Sequence, residues 1–416
     1  MLKAIKSRGS RGVASHDTRK GGITMNKRRW LLVALPILLG LIGLGVWGSQ
    51  QLGRGAQQET PKTIKVQQAA SKIKPATKKK HVTKQQPKPK PGQYTEAQAI
   101  KQIDALIKSH HIMGTLLLTT NGPAGVRVRT YGYADDANQV RNSANEVYPL
   151  ASLQKAVTGA IIQKLINQGK LSMTTPLSQF YPNIPYANQI TMRQLLDHRS
   201  GIRMAELTPK TILPTETARL NYTLQHLRST NNHAYSYSNA NFTLLAGVIR
   251  KVTHKSYQTA LKNDIIRPLG LKHTYEYNDI PGNVLNPLSY RLTNGSGQGG
   301  IISKPLQSAE LGCGSLYMSV GDYYKFMYGL QSGQLVGQAG LRSLADNFQY
   351  KYSAGIYYQA GQVIRVGGND NNFHTYYMGS RNAKVALVLF ENQGVFGGDN
   401  QVAYKIRDIL LKTVPF

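Results

Sequence analysis

Hydrophobic patterning divides the chain into three stretches of different character. Residues 30–47, WLLVALPILLGLIGLGVW, form an uncharged run bracketed by Trp30 and Trp47. At about 1.5 Å per residue a helix of that length crosses the apolar core of a bilayer with little tilt, and tryptophans suit its two interfaces. No small-x-small cleavage pattern follows, which predicts an uncleaved transmembrane anchor rather than a removed signal peptide. Residues 48–92 hold almost no apolar side chains and end in Lys-Gln-Gln-Pro-Lys-Pro-Lys-Pro-Gly. Such a segment cannot build a core and predicts a solvated, flexible linker.

Regular patterning begins near Tyr94. Ile100, Ile103, Leu106 and Ile107 share one stripe, predicting a helix over 95–110. Residues 113–120 and 126–133 are β-rich runs separated by Asn-Gly-Pro-Ala-Gly, a hairpin signal. An apolar helical run starts at Ser152 and continues through Ile161, Ile162 and Leu165 to a stop at Gly169. Helical runs then alternate with Pro- and Gly-rich loops to about residue 345. Strand patterns return at 352–358, 373–379 and 384–391, and a closing helix is predicted from 400 to 413. Strands at both ends with helices between predict an α/β domain of the α+β kind. Its antiparallel sheet would be built from both termini and flanked by helices, with a helical subdomain beside it. The expected organisation is a basic cytoplasmic segment 1–29, the anchor 30–47, the linker 48–92 and one domain over 93–416.

Charge sharpens this picture. The formal net charge is +31, and residues 1–92 hold 20 of the 51 Lys and Arg, against Asp17 and Glu59 as acids. The remainder carries 31 bases and 18 acids, or +13. A basic domain favours a polyanion or an anionic surface as neighbour. No basic helix, zinc-ligand spacing or aromatic–basic interleaving accompanies it, which argues against nucleic acid. Arg and Lys within twenty residues of the apolar run number six on its N-terminal side and three on the other. That bias places the N-terminus inside and the domain outside. Cys313 is the only cysteine, so no intrachain disulfide forms, and it reads as a small buried residue. Neither a metal-ligand cluster nor a nucleotide loop occurs, so no cofactor is expected.

The candidate chemistry starts at Ser152-Leu-Gln-Lys155. Residues three apart share one helix face, so a lysine amine can lie beside a serine hydroxyl. The spacing is weak alone, since Ser71 and Lys74 repeat it in the linker. An acyl-transferring serine also needs a base, an acid for the leaving group and an oxyanion hole. Lys155 serves as base only when neutral, which requires burial or nearby positive charge. Tyr237-Ser-Asn239 runs into an apolar helical segment and offers a tyrosine to carry the proton, with Tyr186-Ala-Asn188 as a competing copy.

Ser152-x-x-Lys155 followed by Tyr237-Ser-Asn239 resembles the serine penicillin-recognising enzymes, in particular the class C β-lactamase and DD-peptidase branch. Glu146-Val-Tyr-Pro-Leu-Ala-Ser152, Gly169-Lys-Leu-Ser-Met-Thr-Thr-Pro176, Ile190-Thr-Met-Arg-Gln-Leu-Leu-Asp-His198-Arg-Ser-Gly201, Ile266-Arg-Pro-Leu-Gly-Leu271 and Gly314-Ser-Leu-Tyr-Met-Ser319 agree in the family's order. The resemblance covers residues 95–416. It implies a β-lactamase/transpeptidase-like fold, Ser152 as nucleophile, Lys155 as base and Tyr237 as shared acid/base. Asn239 would bind Lys155 and the substrate, and the Ser152 N–H would supply half of the oxyanion hole. His198 reads as packing, Tyr235 and Asn241 as loop-shaping.

The family's third motif is His or Lys, any residue, then Gly. The matching run here is Arg365-Val366-Gly367-Gly368-Asn369-Asp370, with Val366 where the cation belongs. Gly367 and Gly368 let a substrate lie close to the backbone, and the Asn369 N–H would complete the oxyanion hole. That cation recognises the free carboxylate of a D-Ala-D-Ala terminus or a β-lactam. A D-alanyl ester of a teichoic acid has no such carboxylate and presents an ammonium, which Asp370 would meet. This pattern resembles the teichoic-acid D-alanyl esterases of Gram-positive bacteria. It implies D-alanylated lipoteichoic acid or another anionic wall polymer as partner, and a single-pass location in the cell membrane with the domain outside. Three alternatives stay open: Arg365 or His374 supplies the missing charge, Asp370 merely caps a turn, or the domain is a DD-carboxypeptidase or β-lactamase-like enzyme. A fourth is a non-enzymatic wall-polymer binding protein.

Overall fold

The computed structural model describes residues 88–291, 299–349, 351–394 and 399–416. Residues 1–29, the apolar run 30–47 and the linker up to 87 lie outside the described residues. No helix among the described residues is long and apolar enough to cross a membrane.

Helix α1 (Glu96–Ser109) starts where Thr95 and Gln98 satisfy each other's backbone N–H groups, a capping box. It leads into β1 (Met113–Thr119) and β2 (Arg127–Tyr131). The predicted strand 126–133 is split at Gly132, whose φ of +66° lets the chain turn into a small hairpin of Tyr133–Asp135 with Val140–Arg141. Among the central helices lies β3 (Tyr290–Arg291), and after them come β4 (Tyr352–Ser353), β5 (Ile356–Gln359), β6 (Val363–Asp370), β7 (Phe373–Ser380) and β8 (Ala386–Gly394). They form one eight-stranded sheet in the order β4-β5-β6-β7-β8-β1-β2, with β3 beside β8. All pairs are antiparallel except β8 with β3. The N-terminal strand β1 is thus stitched to the C-terminal strand β8, as expected of a sheet built from both ends. β6 was not visible as a pattern, because two glycines interrupt its apolar positions.

The period-2 alternation of strands assigns each face. Leu116, Leu118, Leu387 and Leu389 point to one side, against α1 and the closing helix (Asp399–Leu411). Leu117, Val388 and Phe390 point to the other, into the larger core with α2 (Gln154–Asn167) and α3 (Asn239–Thr253). α2 is buried on nearly every side, the mark of a helix at the centre of a domain. That places its N-terminal turn beside the sheet.

Candidate active site

Ser152 does not sit in α2 but in a single 3₁₀ turn, Ala151–Leu153, immediately before it. Ala151 holds φ at +46°, a left-handed conformation that costs an alanine about 1–2 kcal/mol. The turn is held from both sides. Leu150 N–H donates to the Leu316 carbonyl at 2.8 Å, and the Thr375 hydroxyl of β7 donates to the Leu150 carbonyl at 3.1 Å. Strain at a point so firmly held is affordable and aims the serine out of the helix.

Lys155 follows one turn later and is 1% exposed. Its Nζ donates to Ser152 Oγ at 2.9 Å and to the Cys313 carbonyl at 3.1 Å. Tyr237 reaches the serine from the start of α3, with its Oη 2.6 Å from Ser152 Oγ. Because the lysine donates to Oγ, the serine proton is free to point at Tyr237. The Lys155 ammonium also lies 5.0 Å from the centre of the Tyr237 ring, within cation–π range.

The expectation of a neutral Lys155 needs correcting. Burial pushes its amine down, but Tyr237, Cys313 and Glu310 oppose that, and the balance lies above the ordinary lysine value. Charge on those neighbours keeps the lysine protonated, and Tyr237 Oη is the other group within reach of the serine hydroxyl.

His198 does more than fill space. It is fully buried, with its ring centre 4.3 Å from that of Tyr237. Its Nδ1 accepts from Asn241 Nδ2 at 3.0 Å and from the Ser238 N–H at 3.3 Å. The proton then belongs on Nε2, which donates to Tyr352 Oη at 3.0 Å. Burial, Lys155 and Arg203 hold the imidazole well below its usual pKa, so it is a neutral prop that fixes the Tyr237 ring. Asn241 accepts from the Ser200 hydroxyl and shapes the same loop.

These groups open into a cavity of about 400 Å³ whose lining includes Ser152, Tyr237, Gly367, Gly368 and Asn369. β5 stops pairing with β6 at Arg365, which leaves the 366–370 stretch one open edge along the cavity. A Cβ on Gly368 would lie 2.5 Å from the Leu150 carbonyl oxygen, so only glycine lets β6 approach the nucleophile turn. The Asn369 side chain is tied to His374 Nδ1.

Two expected residues are placed differently. Asn239 makes no hydrogen bond to Lys155; as the first residue of α3 it donates from Nδ2 to Glu206 Oε1 at 2.8 Å. Asp370 is buried and is not part of the cavity lining, because strand alternation puts it on the face of Val366 and Gly368, opposite to Arg365 and Asn369. Val366 is 1% exposed and belongs to the core, whereas Arg365 lines the cavity. A cation is thus present, one position away from the motif and on the other face of the strand.

Sequence reasoning missed three further groups: Glu206, Glu310 and the Cys313 carbonyl. Glu206 lines the cavity. Burial, then the charge of Glu206, push the Asp370 carboxyl up to about 7. Burial, then Asp370, push Glu310 up to about 8, against the pull of Lys155. Asp370 Oδ2 and Glu310 Oε2 have no hydrogen-bond partner among the described residues. Asp370 thus feels the charge of Glu206, and Glu310 that of Asp370, across two loops and a strand. Single acids in loops carry no sequence signal of such coupling.

This arrangement can perform acyl transfer. In such a transfer Ser152 would be the nucleophile, its proton would pass to Tyr237 as a phenolate stabilised by the Lys155 ammonium, and the resulting phenol would return it to the leaving group. A family model described as Beta-lactamase matches residues 98–411. The chain belongs to the β-lactamase family. PbpX of Bacillus subtilis (strain 168), which bears the name of a penicillin-binding protein, is 26% identical over 387 residues, 93% of this chain and 95% of its own. The teichoic acid D-alanine hydrolase of Staphylococcus aureus is 25% identical over 329 residues, 76% of this chain and 79% of its own. Among solved structures, FmtA from Staphylococcus aureus superposes with a TM-score of 0.67 at 23% identity, covering 80% of this chain and 92% of that one. D-amino acid amidase from Ochrobactrum anthropi SV3 gives 0.65 at 20% identity, covering 75% and 98%. These likenesses establish the β-lactamase/transpeptidase fold. Within this family of serine hydrolases, Glu206 and Arg365 are the charged side chains that line the cavity of this chain.

Proposed function

We propose that this protein is an extracytoplasmic serine esterase that removes D-alanine from lipoteichoic acid through an acyl-Ser152 intermediate. Its N-terminal segment would hold it at the outer face of the cell membrane. Tyr237 takes the Ser152 proton as Oγ attacks the ester carbonyl, and the Ser152 and Asn369 N–H groups hold the oxyanion. The polyol hydroxyl leaves with the proton returned by Tyr237. Water, deprotonated by the same tyrosine, then frees D-alanine and restores the serine.

The observation that carries this reading is a carboxylate, Glu206, in the lining of the cavity that holds Ser152. A D-alanyl ester brings a free ammonium to the residue being transferred, and a carboxylate in the same cavity favours that charge. A peptide ending in D-Ala-D-Ala has its corresponding nitrogen acylated and brings no such charge. The basic domain supports the same reading, since it suits a polyphosphate, as does the 25% identity to a teichoic acid D-alanine hydrolase.

The test is release of free D-alanine from D-alanylated lipoteichoic acid by the purified protein, with Ser152→Ala as control. No release, together with cleavage of a D-Ala-D-Ala peptide, overturns the proposal in favour of a DD-carboxypeptidase.

A further inference from the structure

Among the described residues Arg365 is a cation without an anion. Its guanidinium carbon lies 4.1 Å from the centre of the Tyr357 ring, its direct cross-strand partner on β5. Stacking of that kind fixes the plane of the guanidinium and leaves its N–H edge for a ligand. Among the described residues Arg365 makes no ion pair, and its buried Nε has no hydrogen-bond partner. A buried donor left unpaired is costly, and an anion paired with the guanidinium from the cavity would offset part of that cost.

The path of the side chain points the same way. A Cβ on Gly367 would come within 3.1 Å of Arg365 Nη1. The glycine therefore leaves the arginine room to lie along β6, on the face that borders the cavity. Glu206 lines that same cavity, yet no ion pair joins it to Arg365 among the described residues. One cavity thus holds a serine nucleophile, a carboxylate and a guanidinium, with the two opposite charges kept apart. A ligand that answers both must itself carry an ammonium and an anion.

We infer that Arg365 binds a phosphodiester of the polymer backbone beside the ester being cleaved, while Glu206 faces the ammonium of the alanyl group. This rests on the esterase reading above and adds the polymer's phosphate to what the site recognises. A D-alanyl ester on a polyol-phosphate chain carries both charges close to the scissile bond. A D-Ala-D-Ala terminus offers Arg365 a carboxylate but leaves Glu206 without a counter-charge, so the pair of charges favours the phosphate. Bidentate pairing of a planar guanidinium with two phosphate oxygens fits the flat, ring-backed setting of Arg365.

The experiment compares three substrates with the full chain: D-alanylated lipoteichoic acid, D-alanyl glycerol, which lacks phosphate, and a peptide ending in D-Ala-D-Ala. Arg365→Gln is expected to lower the ratio of kcat/KM for the polymer over D-alanyl glycerol by about tenfold or more, chiefly through KM. Arg365→Lys, which keeps the charge but not the fork, restores part of it. Glycerol phosphate is expected to inhibit hydrolysis of D-alanyl glycerol by the parent enzyme, and to inhibit Arg365→Gln about tenfold more weakly. Melting curves of both variants show that they are folded. An equal loss on both esters, or no loss on either, overturns the phosphate assignment while the esterase reading stands. A loss confined to the D-Ala-D-Ala peptide overturns it in favour of a carboxylate reader. Failure of the parent enzyme to release D-alanine from either ester overturns the esterase reading itself.

Discussion

Lys155 Nζ lies 3.1 Å from the carbonyl oxygen of Cys313 and 2.9 Å from Ser152 Oγ. The backbone of a residue 158 positions away thus holds the lysine against the nucleophile. With the amine pKa raised rather than lowered, that contact holds an ammonium, and the lysine acts on the serine through its charge.

Replacing Lys155 by Met tests this division of labour. The substitution removes a buried charge with its desolvation cost, but leaves the Cys313 carbonyl without its lysine donor. Stability is expected to stay within about 1–2 kcal/mol of the parent. Esterase turnover is expected to fall by about 10³-fold or more, since the Tyr237 phenolate loses its counter-charge. A combined thermal melt and rate measurement checks both halves; turnover near that of the parent would refute the assignment.

Tyr237→Phe removes the proton acceptor and keeps the ring that packs on His198 at 4.3 Å. The expected loss is about 10²–10⁴-fold in kcat, with KM for a small D-alanyl ester little changed. Should KM rise while kcat holds, Tyr237 positions substrate and carries no proton.

The coupled acids predict a pH dependence of stability with a definite sign. Asp370 and Glu310 are pushed up to about 7 and about 8, above their values in an unfolded chain. The folded state therefore binds protons more tightly than the unfolded state between those limits. The resulting stability is full below the ordinary carboxylate range, about pH 4, and is lost as pH rises through 7 to 8. The melting temperature of the free protein is expected to fall over that window, and Asp370→Asn to flatten the fall. An unchanged slope in the variant would contradict the coupling of the pair.

Gly368→Ala would place a methyl group 2.5 Å from the Leu150 carbonyl oxygen. The contact is with backbone that positions Ser152, so β6 and the nucleophile turn must separate. Overpacking of this kind typically costs about 1–3 kcal/mol. Turnover should fall by about 10²-fold, because small displacements of the reacting groups are expensive. A variant that melts lower but retains full turnover would show that the close approach serves packing alone.

Part of the protein was legible in one dimension. The stripe through Ile100, Ile103 and Ile107, the β-rich run at 113–120 and the strand patterns after 352 sit in elements of the expected kind, because each depends on local periodicity and burial of one face. Ser152, Lys155 and Tyr237 converge as their motifs suggested, since a Ser-x-x-Lys spacing at a helix start fixes the relative position of two of them. The substrate residues were less readable. Val366 marked a missing cation, yet Arg365 supplies one to the cavity from the opposite face of β6, and only the register of that strand decides which side chain faces the serine. Asp370 lay on the wrong face for the same reason.

What the sequence by itself determined was the fold class and the grouping of Ser152, Lys155 and Tyr237, because these rest on motif spacing and periodic burial. Tertiary structure alone decided the upward shift of the Lys155 amine and the electrostatic coupling of Glu310, Asp370 and Glu206. Both are sums of burial and through-space fields from residues far apart in the chain, and no local pattern encodes a distance across a fold.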